Sequence, residues 1–113
     1  MSRVNLEDPI ITDCILQKGI KGGVHIQTLA GAMLVDRDMG FVSAIDPGGA
    51  IRTITLPAAE KGLMFLMTHN GGAFDITIQD PVGPTTRGTL STTESALIFS
   101  DGIRWYVGVM TTT

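Results

Sequence analysis

Apolar and polar positions alternate in short runs along the whole chain, and the clearest stretch is ESALIFSDGIRWYVGV at 94–109. It predicts two strands joined by Asp101-Gly102, because aspartate-glycine between apolar runs favours a tight turn with positive φ. After the turn, Ile103, Trp105, Val107 and Val109 share one face, and Arg104, Tyr106 and Gly108 the other. Before it, Ala96, Ile98 and Ser100 alternate with Leu97 and Phe99. Both faces are largely apolar, which predicts a strand inside a sheet covered on both sides.

The rest of the chain reads in the same way. Residues 1–9 are polar, end in Asp8-Pro9 and read as an N-terminal arm. IITDCIL (10–16) is a first strand, and GIKGGVHIQTL after it is a glycine-interrupted, bent or bulged one. GAMLVD (31–36) and GFVSAI (40–45) flank Arg37-Asp38-Met39 as a second hairpin, and Asp46-Pro47-Gly48-Gly49 is a turn. IRTITL (51–56) alternates cleanly, and Pro57 to Gly62 is a single helical turn opened by proline and closed by glycine. LMFLMTH (63–69) is nearly continuously apolar and predicts a doubly covered strand, followed by a hairpin at Asn70-Gly71-Gly72. AFDITIQ (73–79) alternates, 80–84 is a two-proline loop, and a short strand fits at 88–91. No stretch of ten residues carries the 3.6-residue helical period. Eight to nine short strands at this spacing predict an all-β fold: a single-domain antiparallel β-sandwich or barrel over 10–113, with the arm at 1–9. The core is expected at Ile54, Leu56, Phe65, Ile76, Ile78, Ile98, Trp105 and Val107.

Composition narrows the function classes. The 113 residues make one domain, 43% hydrophobic and only 17% charged, below the usual quarter, so a surface hidden in an assembly is expected. The net charge of −3 without a basic run argues against a phosphate-tracking nucleic-acid binder. No signal peptide and no apolar run long enough to span a membrane is visible, so the chain reads as soluble and made in the cytoplasm. A single cysteine, Cys14, leaves no intrachain disulfide.

Candidate chemistry is thin. Asp36, Asp38 and Gly40 begin like a calcium loop but lack its third acidic position and closing glutamate, so a plain acidic turn is the reading. His25 and His69 flank apolar strands without a serine or cysteine elbow beside them, and read as strand-end histidines. Cys14 has no base nearby in sequence and reads as a small buried hydrophobe. Glu60 and Asp75 form a carboxylate pair only if the fold joins them. Met33, Met39, Met64 and Met67 either fill the core or line an adaptable contact surface. Thr85–Thr93 is a recognition loop or a solvated connection. No catalytic, cofactor or metal constellation emerges, and no enzyme is expected.

From residue 51 onward the order of features is a resemblance in itself. Leu56-Pro57, Lys61-Gly62, an apolar strand, Asn70-Gly71, the alternating Ile76–Ile78 strand, and Asp101-Gly102 with Trp105 follow one another. This resembles a module of small structural proteins of tailed bacteriophages and covers about the last 60 residues. The resemblance implies a virion protein, and a short chain that begins at Met1 favours a head decoration (cement) protein over a fibre subunit. It further implies a homotrimer on the capsid surface, the major capsid protein as partner, and shell contacts from the arm at Arg3, Val4, Asn5 and Leu6. No cofactor, nucleic acid or membrane enters that role. A tail- or fibre-associated virion protein is the alternative within the virion. A small carbohydrate- or ligand-binding β-sandwich is the alternative outside it, and that one needs an exposed aromatic platform.

Overall fold

The computed structural model describes residues 23–83 and 85–111. The arm at 1–9 with Arg3, Val4, Asn5 and Leu6, the strand expected at 10–16 and Cys14 lie outside the described residues.

The described chain is all-β, with nine strands: β1 (Val24–Thr28), β2 (Met33–Leu34), β3 (Val42–Asp46), β4 (Arg52–Thr55), β5 (Met64–His69), β6 (Ile76–Gln79), β7 (Thr86–Leu90), β8 (Glu94–Ser100) and β9 (Trp105–Thr111). A 3₁₀ turn at Arg37–Met39 is the one helical element among the described residues. Two open mixed sheets result, ordered β1-β3-β5-β8-β9 and β2-β4-β6-β7.

The pairing differs from the antiparallel expectation, and both sheets are mixed. Through β6 the chain changes sheet at every strand, so each sheet's early neighbours run parallel. Parallel neighbours need a long crossover. Here the crossover is a strand of the opposite sheet instead of a helix, so the first six strands wind as coils. Only the closing part, β5-β8-β9 and β6-β7, is antiparallel. The barrel expectation fails because the sheets stay separate, with β1 and β9 at the edges of one and β2 and β7 at the edges of the other.

Two expected hairpins become corners. Residues 31–36 and 40–45 feed different sheets, as do the strands either side of Asn70-Gly71-Gly72. The 3₁₀ turn between β2 and β3 is capped by Asp36, whose carboxylate accepts from the Asp38 N–H at 2.9 Å. At the second corner, Gly71 and Gly72 take positive φ (125° and 79°) and pass beside the Asp46 carboxylate. Turn residues dictate that the chain bends, but not which strand receives it.

Both sheets feed one core: Ile45, Phe65, Met67, Ile98 and Trp105 of the five-stranded sheet and Ile54, Ile76, Ile78 and Leu90 of the four-stranded one belong to a single buried cluster. Of the expected core residues, Ile54, Leu56, Phe65, Ile76, Ile78, Ile98 and Trp105 are buried, and Val107 is half-buried against them. Trp105 packs on Phe65 with ring centroids 5.9 Å apart, and its Nε1–H donates to the Pro57 carbonyl at 2.8 Å. That bond accounts for the missing helical turn at 57–62. The Pro57 carbonyl is engaged by the indole, and the segment must cross from β4 in one sheet to β5 in the other. It is stitched to the last hairpin by Gly62 N–H to Ser100 O and by Ser100 N–H to Leu63 O, both 3.0 Å.

The last hairpin itself exists, but with a wider turn. Ser100 pairs with Trp105, leaving a four-residue loop, 101–104. The Asp101 carboxylate closes it by accepting from the Ile103 and Arg104 N–H groups at 2.8 and 3.0 Å. Ile103 therefore sits in the loop, 80% exposed, and not on the Trp105 face. The strand expected at 88–91 is β7, which starts earlier and ends at Leu90. It also takes up most of the stretch 85–93, which is therefore a strand and its flanks and not a continuous loop.

Candidate functional site

Among the described residues, both histidines and the acids Asp36, Asp46, Glu60, Asp80, Glu94 and Asp101 are occupied by structural bonds. His69 is 7% exposed, its Nε2 bonded to the Phe74 carbonyl at 2.7 Å and its Nδ1 accepting weakly from the Gly71 N–H. His25 bonds Gln27 Oε1 at 2.8 Å. Glu60 pairs with Arg37 at 2.8 Å. Among the described residues, no group of three or more His, Cys, Asp or Glu side chains could hold a metal ion, and no helix is long and apolar enough to cross a membrane.

The most buried acid among the described residues is Asp80, in the β6–β7 turn. It is 7% exposed and accepts from the Val82 N–H at 3.0 Å and from Arg87 Nη2 and Nε at 3.0 and 3.2 Å. The Val82 N–H foremost, with Arg87 adding to it, holds its carboxyl below the ordinary aspartate range against the opposing effect of burial. This is a turn lock, with all its bonds made within the chain.

What the structure does bring together is a surface. Register and burial assign each strand residue to a face. In the five-stranded sheet, Ser43, Ile45, Phe65, Met67, Ala96, Ile98 and Trp105 point inward. The alternate residues therefore point out, and the ladder aligns them in rows. One row is Val24, Val42, Leu66 and Leu97; the next on one side is Ile26, Ala44, Thr68, Ser95 and Met110; on the other side, Met64, Phe99 and Tyr106. Ile26 is 70% exposed, Val24 52% and Met64 44%.

This corrects the expectation that 63–69 and 94–100 are covered on both sides. In the single chain, their outer faces have no covering layer among the described residues. It also divides the methionines: Met67 is core, Met33 and Met39 pack on the core, and Met64 faces out. The aromatics divide too. Phe65 and Trp105 are buried, whereas Phe41, Phe74, Phe99 and Tyr106 are exposed. Phe99 and Tyr106 stack at 5.3 Å on this outer face, and the Tyr106 hydroxyl donates to Asp101 Oδ2 at 3.1 Å.

The four-stranded sheet offers an internal comparison. Its outward positions are Leu34, Thr53, Thr55, Thr77, Gln79 and Thr89, hydroxyl- and amide-bearing except for Leu34. Gln79 Nε2 donates to Thr55 Oγ1 at 3.2 Å along it. One face of the molecule is thus polar and the opposite face apolar. The candidate site is the apolar face, and what it can do is bind another apolar surface.

No family model matches the chain, and no curated protein matches it.

Proposed function

We propose that the chain is a structural protein of a tailed-phage virion, a capsid decoration (cement) protein that binds the outer surface of the head and stabilises the shell. The observation that carries this reading is the way the resemblance's signature positions interlock. The Pro57 carbonyl accepts the Trp105 indole N–H, Gly62 is bonded to Ser100, and a Cβ on Gly102 would lie 3.2 Å from Lys61 Cβ. Positions far apart in sequence form one unit, as a module would. On this reading the two sheets are a sandwich carrying an N-terminal arm at 1–9, and the major capsid protein is the partner, with the arm's Arg3, Val4, Asn5 and Leu6 on the shell. Homotrimers would occupy symmetric junctions, and binding the expanded shell better than its precursor would stabilise it by linkage.

The test is co-sedimentation of the protein with expanded heads. Saturable binding that raises the temperature of head disruption is expected, and heads left undecorated would overturn the reading. Deleting residues 1–9 is expected to preserve the unfolding midpoint while lowering occupancy. Unchanged occupancy would remove the arm from the interface.

A tail- or fibre-associated protein is the second reading. The parallel winding of β1 to β6 favours it, since stacked coils can be continued by further coils.

A further inference from the structure

The apolar face of the five-stranded sheet is not flat. At the β1–β3–β5 side the described residues form a cleft of about 610 Å³, lined by Val24, Val42, Leu66, Met39 and Phe41, with His25 and Asp38 also on its wall. At the opposite side, on β8 and β9, stands the stacked pair Phe99 and Tyr106, 38% and 41% exposed. The pair is held up by the Tyr106–Asp101 bond. Cleft and ring pair lie on the same face. Leu66 in the cleft pairs with Leu97, one outward position along β8 from Phe99.

We infer that this face is a homotypic interface, in which the Phe99–Tyr106 pair of one copy seats in the Val24–Val42–Leu66 cleft of a second copy. A two-fold axis along the strands, in the plane between two facing sheets, exchanges the left and right sides of the face. It therefore brings ring pair to cleft twice. The same contact made head to tail closes a ring. The three outward rows hold no Asp, Glu, Lys or Arg, and the two acids at the contact, Asp38 on the cleft wall and Asp101 on the Tyr106 hydroxyl, are exposed, where solvent and salt screen their repulsion. Area also fits. Five strands about 4.8 Å apart and about 20 Å long give a projected face of roughly 500 Å², near the largest patches that monomers expose. Side-chain relief brings its accessible area toward the roughly 800 Å² that each partner buries in a standard interface. The inference is independent of the virion reading: self-association and head binding are separate measurements, and either can fail alone.

Light scattering on the full chain tests it. A mass that is a multiple of the 12.0 kDa chain is expected. Phe99→Thr, which removes half of the ring pair, and Val42→Glu, which puts a charge in the cleft, are each expected to lower the mass to a single chain. Thr77→Glu, the same charge on the polar sheet, is expected to leave it unchanged. Buried-tryptophan emission from Trp105 reports folding of each variant. Hydroxyl-radical footprinting of the unmodified protein needs no variant at all. Between dilute and concentrated samples, oxidation of Met64, Phe41, Phe99 and Tyr106 is expected to fall several-fold, while that of Phe74 stays level. A single-chain mass for the unmodified protein at high concentration would overturn the interface, as would unchanged oxidation at these four residues or an oligomer that survives both face variants.

Discussion

At the residue scale, two side chains have roles that burial and bonding make quantitative. Trp105 combines full burial, a ring contact with Phe65 and an indole bond to Pro57. Trp105→Ala is expected to cost about 3–5 kcal/mol, measured by urea unfolding. Trp105→Phe keeps most of the apolar bulk but leaves the Pro57 carbonyl without its donor, so a loss of about 1–3 kcal/mol is expected. Asp80 predicts a pH dependence. Its folded carboxyl is held below the ordinary value of about 3.9, so the unfolded chain binds more protons in acid. The stability it contributes is present above that value and is lost as pH falls through the folded one. Asp80→Asn should therefore be less stable than the unmodified protein at pH 7, and the gap should narrow as pH falls below the ordinary aspartate value of about 3.9. A gap that stays constant below that value would show that Asp80 is not the titrating group. Neither role was legible beforehand in full. The tryptophan was an evident core candidate, but its polar partner lies 48 positions away.

At the element scale, the closing strands β7 and β9 meet across the end of the core. A Cβ on Gly88 would fall 2.7 Å from Val107 Cγ1. Gly88→Ala is thus expected to destabilise by about 1–3 kcal/mol through overpacking, and adding Val107→Ala should restore part of the loss. Thermal unfolding of the double-mutant cycle checks this. Gly48 is constrained differently. Its φ is +75°, and a Cβ there would approach the Leu29 carbonyl oxygen at 2.6 Å, so the turn after β3 admits glycine alone without a shift. Most strands were readable from period-two alternation, β4, β6, β8 and β9 most clearly. The corners were not. Asn70-Gly71-Gly72 has hairpin chemistry, yet its strands diverge into opposite sheets because the Asn70 N–H bonds back to Ile45 O on β3.

At the scale of the whole molecule, the contrast between the threonine-rich face of one sheet and the apolar face of the other governs behaviour. The apolar rows carry no formal charge, and only the exposed Asp38 beside the cleft and Asp101 beside the ring pair bring charge to the contact, so self-association should vary only weakly with ionic strength. The dissociation constant is expected to change by less than about two-fold between 0.05 and 0.5 M NaCl, since screening acts only on charges. Sedimentation over that salt series measures it, and a steep salt dependence would point to charged contacts instead.

The sequence by itself determined that the chain is all-β, where most strands lie, and which residues fill the core. These depend on local alternation and on side chains that must leave water wherever the strands pair. Only the tertiary structure decided which sheet each strand joins, that the early strands run parallel, and which apolar face is left uncovered among the described residues. Hydrogen-bond partners here are non-local and their spacing is uneven. Val24 pairs with Val42, and Val42 with Leu66, steps of 18 and then 24 residues, so the coils leave no fixed period to detect. An outward-facing leucine and an inward-facing one have the same chemistry along the chain. They differ only in whether a second sheet lies over them, and the long-range pairing settles that.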